Sequence, residues 1–149
     1  MAGDGYGCLR LENQLCFPLY VCSKEIVRRY RPYLDPLDIT YTQYITMMAL
    51  WEEDGLSVKD LGRRIRLDSG TLTPLLRKLE EKSFIKRDRS SDDERSVTVT
   101  VTKTGYELRE KAKDIPASVG SCLNISEKDA TALYSILNRL MESLDQDIE

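Results

Sequence analysis

Leu56-Ser57-Val58-Lys59-Asp60-Leu61 opens the stretch that decides the fold. It continues through Asp68-Ser69-Gly70-Thr71-Leu72-Thr73-Pro74-Leu75-Leu76-Arg77-Lys78-Leu79 and then Phe84-Ile85-Lys86-Arg87-Asp88-Arg89. A polar tip at Ser90 to Glu94 follows, then Arg95-Ser96-Val97-Thr98-Val99-Thr100-Val101-Thr102. The stretch reads as two short helices followed by a β-hairpin. In the second helix Leu72, Leu75, Leu76 and Leu79 recur at i, i+3, i+4 and i+7, the spacing of one buried face. The opposite face then carries Ser69, Thr71, Thr73, Arg77 and Lys78. Hydroxyls and cations on one helix face suit phosphates and base edges in a major groove.

In the hairpin, Val97, Val99 and Val101 alternate with threonines, a period-2 strand with one face buried. The tip carries Arg95, long enough for a minor groove, and narrow A·T-rich grooves attract such a cation. Asp93 is placed to hold Arg95 by a charge-assisted hydrogen bond. Pro74, Arg87 and Arg89 complete the candidate DNA-contacting set. Either element alone fits a solvated charged face better. Their order in one compact unit is what points to double-stranded DNA.

A chain of 149 residues fits one domain, or one domain with dimerisation helices, and can bury a proper core. Hydrophobic content of 41% with 32% charged residues fits a soluble globular protein. No apolar run approaches the ~20 residues needed to cross a bilayer. The N-terminus has no signal-peptide pattern, so a cytoplasmic location with reduced thiols and no membrane partner is expected. Net charge is −3, which by itself opposes nucleic-acid binding. Its distribution argues back: Ser57 to Arg95 holds 11 Lys/Arg against 8 Asp/Glu, and Ser126 to Glu149 holds 2 against 6. Four cysteines occur, at positions 8, 16, 22 and 122, with no Cys-x-x-Cys pair and no histidine. That composition disfavours a metal site and excludes Ser-His or Cys-His catalysis. No Gly-rich phosphate loop is present. Neither cofactor nor enzymatic activity is expected.

Ahead of the central stretch, Leu11, Leu15, Leu19, Cys22, Ile26, Tyr30 and Tyr33 form a helical stripe. Pro18 is tolerated best in a first turn, so the helix is expected to begin near Cys16 or to kink at the proline. A thiol in a first turn feels the positive end of the macrodipole, which favours thiolate; a small buried hydrophobe is the alternative for Cys16. The helix should end before Arg31-Pro32-Tyr33-Leu34-Asp35-Pro36. Thr40-Tyr41-Thr42-Gln43 is a capping box for a helix that buries Tyr44, Met47, Met48 and Trp51 and ends at Gly55. Ser57 caps the next, with Val58, Leu61 and Ile65 inward. Pro74 fits the reading helix if that helix starts late, with Thr71 as cap, or is kinked early. After the hairpin, a helix runs from Lys103 through Lys113, and Ile115-Pro116 breaks it. Ser118 to Ile125, with Cys122, is partly irregular. Ser126 opens a last helix whose stripe of Leu133, Ile136, Leu137, Leu140, Met141 and Leu144 needs a partner surface.

This order of elements resembles the MarR family of winged-helix dimeric regulators, and Asp93-Glu94-Arg95-Ser96-Val97-Thr98-Val99-Thr100-Val101-Thr102-Lys103-Thr104-Gly105 is similar to that family's wing. Within it, Leu11-Glu12-Asn13-Gln14-Leu15-Cys16-Phe17, Asp38-Ile39-Thr40-Tyr41 and Leu67-Asp68-Ser69-Gly70-Thr71-Leu72-Thr73-Pro74 resemble the group that senses organic hydroperoxides. The resemblance implies a mainly α fold with a small β-hairpin wing. The winged helix-turn-helix would span about 38–102, between dimerisation helices at about 9–34 and 103–147. It implies a repressor homodimer, released from its operator when a peroxide oxidises Cys16. Tyr30 and Tyr41, reaching across from the second subunit, would hydrogen-bond the Cys16 sulfur, and Tyr20 would line the same pocket. Cys122 sits where some members carry a second cysteine, implying a disulfide from Cys16 of one subunit to Cys122 of the other. Cys8 and Cys22 are bystanders in this reading. A regulator gated by a phenolic ligand, without redox chemistry, is the alternative.

Overall fold

The computed structural model describes residues 6–89 and 97–145. Two compact units are distinguished, Met1–Ile115 and Pro116–Glu149. The first holds α1 (Cys16–Leu34), α2 (Tyr41–Glu52), β1 (Leu56–Ser57), α3 (Val58–Ile65), α4 (Ser69–Glu81), β2 (Ile85–Arg89), β3 (Val97–Val101) and α5 (Lys103–Ala112). Helix α6 (Ile115–Ser121) crosses into the second unit, which also holds α7 (Glu127–Asp145).

Pro18 lies in the first turn of α1, as expected, but the helix does not stop before Arg31-Pro32. It runs through Pro32 to Leu34, and a 3-10 turn, Asp35–Leu37, follows. Pro32 forgoes only the bond to the Arg28 carbonyl, and the buried Leu34 side chain anchors the turn beyond it. Helix α2 begins at the expected capping box. The Gln43 amide N–H donates to Thr40 Oγ1 at 3.3 Å, and the Thr40 N–H donates to Gln43 Oε1 at 3.0 Å. This helix is covered on nearly every side: Tyr44, Thr46, Met47, Ala49 and Leu50 are buried, while Met48 and Trp51 are only half-buried. It ends at Glu52, and Gly55 takes the left-handed turn beyond it with φ +78°.

The sheet has three strands, not the two of a simple hairpin, in the order β1-β3-β2. Leu56 pairs with Val99, and Ile85, Arg87 and Arg89 pair with Val101, Val99 and Val97. Two residues of β1 carry too little periodicity to be recognised from sequence. Val99 is fully buried and its neighbours Val97 and Val101 partly so. Asp54 holds this corner together. Its Oδ1 accepts from the Gly55 and Val101 N–H groups at 2.9 and 2.8 Å, and its Oδ2 accepts from the Tyr106 hydroxyl at 3.1 Å. Gly105 allows α5 to touch the strand: a Cβ there would meet the Phe84 carbonyl oxygen at 2.2 Å.

Helix α5 ends at Ala112, one residue short of expectation, and Pro116 sits in the first turn of α6, where a missing N–H is tolerated. The segment from Ser118 to Ile125 is partly irregular as expected: helical through Ser121, then a turn and non-regular backbone. Ser126 opens α7 as expected, accepting from the Asp129 N–H at 3.1 Å. The α7 stripe is open: Leu133, Ile136, Met141 and Leu144 are all exposed. In the first unit Leu9, Leu11, Leu15 and Phe17 are exposed as well.

Candidate DNA-reading face and redox site

Helix α4 is positioned by its contact with α3. At Gly62 a Cβ would lie 2.9 Å from the Leu67 carbonyl oxygen and 3.3 Å from Leu72 Cδ2, so only glycine lets the two helices and their turn approach this closely. The cap of α4 is Asp68, not Thr71. The Thr71 N–H donates to Asp68 Oδ1 at 2.9 Å and the Thr71 hydroxyl to Asp68 Oδ2 at 2.7 Å. Those two bonds hold the Asp68 carboxyl below its ordinary range. Aspartate is a stronger N-cap than threonine, so the helix starts at Ser69 rather than late. Pro74 then lies inside the helix. Leu72, Leu75, Leu76 and Leu79 are buried as the spacing predicts, and Ser69, Thr71, Thr73, Pro74, Arg77 and Lys78 share the exposed side.

The cations divide into two kinds. Arg87 is bound to Glu80. Its backbone N–H donates to Oε1 at 3.0 Å, and its Nε and Nη2 donate to Oε2 at 3.0 and 2.6 Å. Strand alternation explains this, since Arg87 faces the same side as Ile85 and Val99. The Arg87 guanidinium in turn holds the Glu80 carboxyl below its usual range. Arg87 thus braces β2 against α4. Arg77 makes an exposed pair with Glu81 at 3.0 Å, of the weak i,i+4 kind. Arg89 is exposed at the end of β2. Asp93 and Arg95, and with them the wing tip, lie outside the described residues. Between α3, α4 and the base of the wing lies a cleft of about 590 Å³, lined by Val58, Lys59, Arg63, Leu72 and Leu76 among others.

The second group of candidates lies on α1 and α2. Cys16 is the first residue of α1 and is exposed, with no side chain capping the helix start. Tyr20 follows one turn later on the same face, about 5–6 Å away between Cβ atoms by helix geometry, and its exposed ring sits under Lys24 Nζ at 5.5 Å. Tyr30 and Tyr41 are brought together, ring centroids 4.9 Å apart and tilted at 59°. Tyr44 and Trp51 extend the cluster at 5.9 and 6.4 Å. Burial, and then the neighbouring Tyr30, push the Tyr41 hydroxyl above its ordinary pKa, so it stays a neutral donor. Within one chain, however, 14 residues of a single helix separate Cys16 from Tyr30, a rise of roughly 21 Å. Cys122 follows α6 and is exposed; its Sγ donates to the Ser118 carbonyl at 3.3 Å. Among the described residues no group of His, Cys, Asp and Glu could hold a metal, and no helix is long and apolar enough to cross a membrane.

Sequence reasoning missed Glu80, Asp54 and the pair Asp38–Lys82. Only Asp54-Gly55 left a signal, as a turn dipeptide.

Residues 28–113 match the family model described as transcriptional regulator SarA/Rot. The organic hydroperoxide resistance transcriptional regulator of Bacillus subtilis strain 168 is 47% identical over 138 residues, covering 93% of this chain and 94% of that protein. Among solved structures, the reduced form of AbfR bound to DNA, a Staphylococcus epidermidis protein, superposes with a TM-score of 0.81 at 33% identity, covering 95% and 96% of the two chains. The disulfide-formed AbfR gives a TM-score of 0.62 at 33% identity, covering 94% and 93%. These relatives are regulators, not enzymes. A buried-leucine reading helix, a three-stranded wing base and these likenesses agree: the chain is a DNA-binding transcriptional regulator that belongs to the MarR-type winged-helix regulators, in the organic hydroperoxide resistance group.

Proposed function

We propose that this chain is a homodimeric, peroxide-responsive repressor. The reduced dimer binds a pseudo-palindromic operator. One α4 from each subunit enters successive major grooves about one helical turn apart, and the Arg95 wings flank them in minor grooves. Ser69, Thr71, Thr73, Pro74, Arg77 and Lys78 form the contact surface of α4, with Arg89 and Arg95 on the wing and Asp93 orienting Arg95. An organic hydroperoxide then transfers one oxygen to the Cys16 thiolate, giving sulfenic acid and the corresponding alcohol. Condensation with the thiol of Cys122 in the partner subunit forms the disulfide and expels water. A disulfide requires Cα atoms within about 7 Å of each other, so the helices that carry the two sulfurs must hold that spacing once it forms. Two reading heads at a fixed spacing lose much of their joint affinity when the spacing changes.

One observation carries the reading. Cys16 is exposed at the start of α1, and Tyr30, roughly 21 Å further along that helix, packs on Tyr41 of α2, so the two phenols suited to hold its anion are remote from it within one chain. A second chain laid against the first, covering the open apolar faces around Leu11, Leu15 and Phe17 and along α7, would close that separation. The experiment is non-reducing electrophoresis after one equivalent of an organic hydroperoxide. A covalent dimer in the wild type that disappears in Cys122→Ser supports the two-cysteine route; a covalent dimer that persists in Cys122→Ser removes it. The α3–α4 cleft favours one other reading, in which a phenolic acid fills about 590 Å³ beside Lys59 and Arg63 and releases DNA with Cys16 untouched. Titrating operator binding with a hydroperoxide and, separately, with a phenolic acid distinguishes the two.

A further inference from the structure

We infer that Asp38 and Lys82 are positioning residues that carry a movement at Tyr41 to the reading helix. The inference rests on the redox reading above. Asp38 stands between the 3-10 turn Asp35–Leu37 and the Thr40 cap of α2, three residues before Tyr41. Its backbone is left-handed, with φ 54° and ψ 41°, a conformation that few residues other than glycine, asparagine and aspartate adopt readily. Lys82 is the residue after the last turn of α4. Its Nζ lies 2.8 Å from Asp38 Oδ2 and also donates to the Asp38 carbonyl oxygen. One ammonium thus grips both the side chain and the main chain of the turn.

Both ends of this clamp are firm. At the α4 end, the Ser83 N–H donates to the Glu80 carbonyl at 2.8 Å and the Phe84 N–H to the Leu79 carbonyl at 3.0 Å, with Ser83 at φ 61°. That is a closed helix C-terminus, which fixes where Lys82 starts. At the turn end, the Ile39 N–H donates to the Leu34 carbonyl at 3.3 Å, Ile39 is buried, and Thr40 is held by its capping box. On one side of this turn is a groove of about 540 Å³ lined by Val27, Leu34, Ile39 and Tyr41. On the other is a cleft of about 410 Å³ lined by Thr40, Gln43, Lys78 and Lys82. The clamp spans that second cleft.

An exposed ion pair ordinarily contributes little to stability. Here the Lys82 side chain is 27% exposed and that of Asp38 88%, so the pair adds little to stability and its role is geometric. A helix of 13 residues is a rod of about 20 Å, so a shift imposed at Lys82 reaches the Thr71–Thr73 end largely undiminished. Without the clamp the turn absorbs the movement and α4 stays where its leucines hold it.

The test compares operator affinity before and after one equivalent of organic hydroperoxide, in the wild type, Lys82→Met, Lys82→Arg and Asp38→Gly. The glycine variant keeps the left-handed backbone and deletes the carboxylate. The ratio of oxidised to reduced Kd is the readout. Lys82→Met and Asp38→Gly should each lower that ratio at least fivefold while reduced-form Kd changes by less than about threefold, and Lys82→Arg should restore it. Loss of a simple phosphate contact would weaken both forms together and leave the ratio unchanged, which would overturn the inference. So would a wild-type ratio in Lys82→Met. Should the methionine variant fail to fold, Asp38→Gly decides on the same criterion. A wild type that stays on DNA after oxidation removes the redox reading itself and the clamp's role with it, whereas equal release by wild type and variant removes the clamp alone.

Discussion

Gly62→Ala is the perturbation that most directly probes how the reading helix is aimed. The added Cβ would stand 2.9 Å from the Leu67 carbonyl oxygen and 3.3 Å from Leu72 Cδ2. The first neighbour is backbone, in the turn that leads into α4, and the second belongs to a fully buried side chain. Neither can swing aside, so α3 and α4 must separate by several tenths of an ångström. Overpacking of this kind costs about 1–3 kcal/mol, against a gain of at most about 1 kcal/mol from replacing a helical glycine. Net destabilisation of up to roughly 2 kcal/mol corresponds to up to about 8 °C in Tm for a chain of this size. Gly120→Ala is the internal control, because its Cβ would meet nothing within 4 Å and the helical gain should stand alone. Thermal unfolding followed by circular dichroism reads both, and operator titration reads the aim of α4. Gly62→Ala should lower Tm and weaken operator binding, while Gly120→Ala should raise Tm slightly. A Gly62→Ala protein as stable as the wild type, with full operator affinity, would refute the close-approach argument.

The remaining predictions follow from the same geometry. Tyr41→Phe keeps the ring against Tyr30 but deletes the hydroxyl that the proposed function assigns to the Cys16 anion; hydrogen bonds to charged groups contribute about 1.5–3 kcal/mol, so oxidation by organic hydroperoxide should slow at least tenfold, measured by trapping the sulfenic acid. An unchanged rate would take Tyr41 out of the site. Glu80 is depressed below its ordinary value of 4.5 by Arg87, so its contribution to stability is present above that value and fades as pH falls through the folded-state value. Glu80→Gln should therefore flatten the acid limb of a stability–pH profile, and a limb of unaltered slope would contradict the brace. Arg95→Ala should weaken operator binding by about 1–3 kcal/mol; gel shifts of equal affinity would remove the wing from the interface.

The parts of the fold legible in the sequence were those whose signal is local. The leucine spacing of α4, the Thr40–Gln43 box and the Ser57 and Ser126 caps each depend on residues within one or two turns. What escaped depended on contacts between distant segments. β1 exists because Leu56 meets Val99, 43 positions along the chain, and two residues hold no period of their own. Helix α1 continues past Pro32 because Leu34 finds a buried place, which outweighs one lost hydrogen bond. The Arg87–Glu80 brace was not legible, because charge was visible and strand direction was not; pairing opposite Val99 turns Arg87 toward Glu80. Of the candidate redox residues only Cys16 had a signal of its own, its place in a first turn; the others were legible only through resemblance. Four exposed cysteines do not differ by exposure, and Tyr30 and Tyr41 become a pair only when α1 folds back on α2.

The central claim is that the oxidation state of one sulfur decides whether the dimer holds its operator. Operator binding by the wild type and by Cys16→Ser, each titrated with one equivalent of an organic hydroperoxide, tests it most directly. The account predicts that both bind DNA equally when reduced, that the wild type is released, and that Cys16→Ser stays bound. Release of Cys16→Ser to the same extent, or a wild type that remains on its operator, would contradict it.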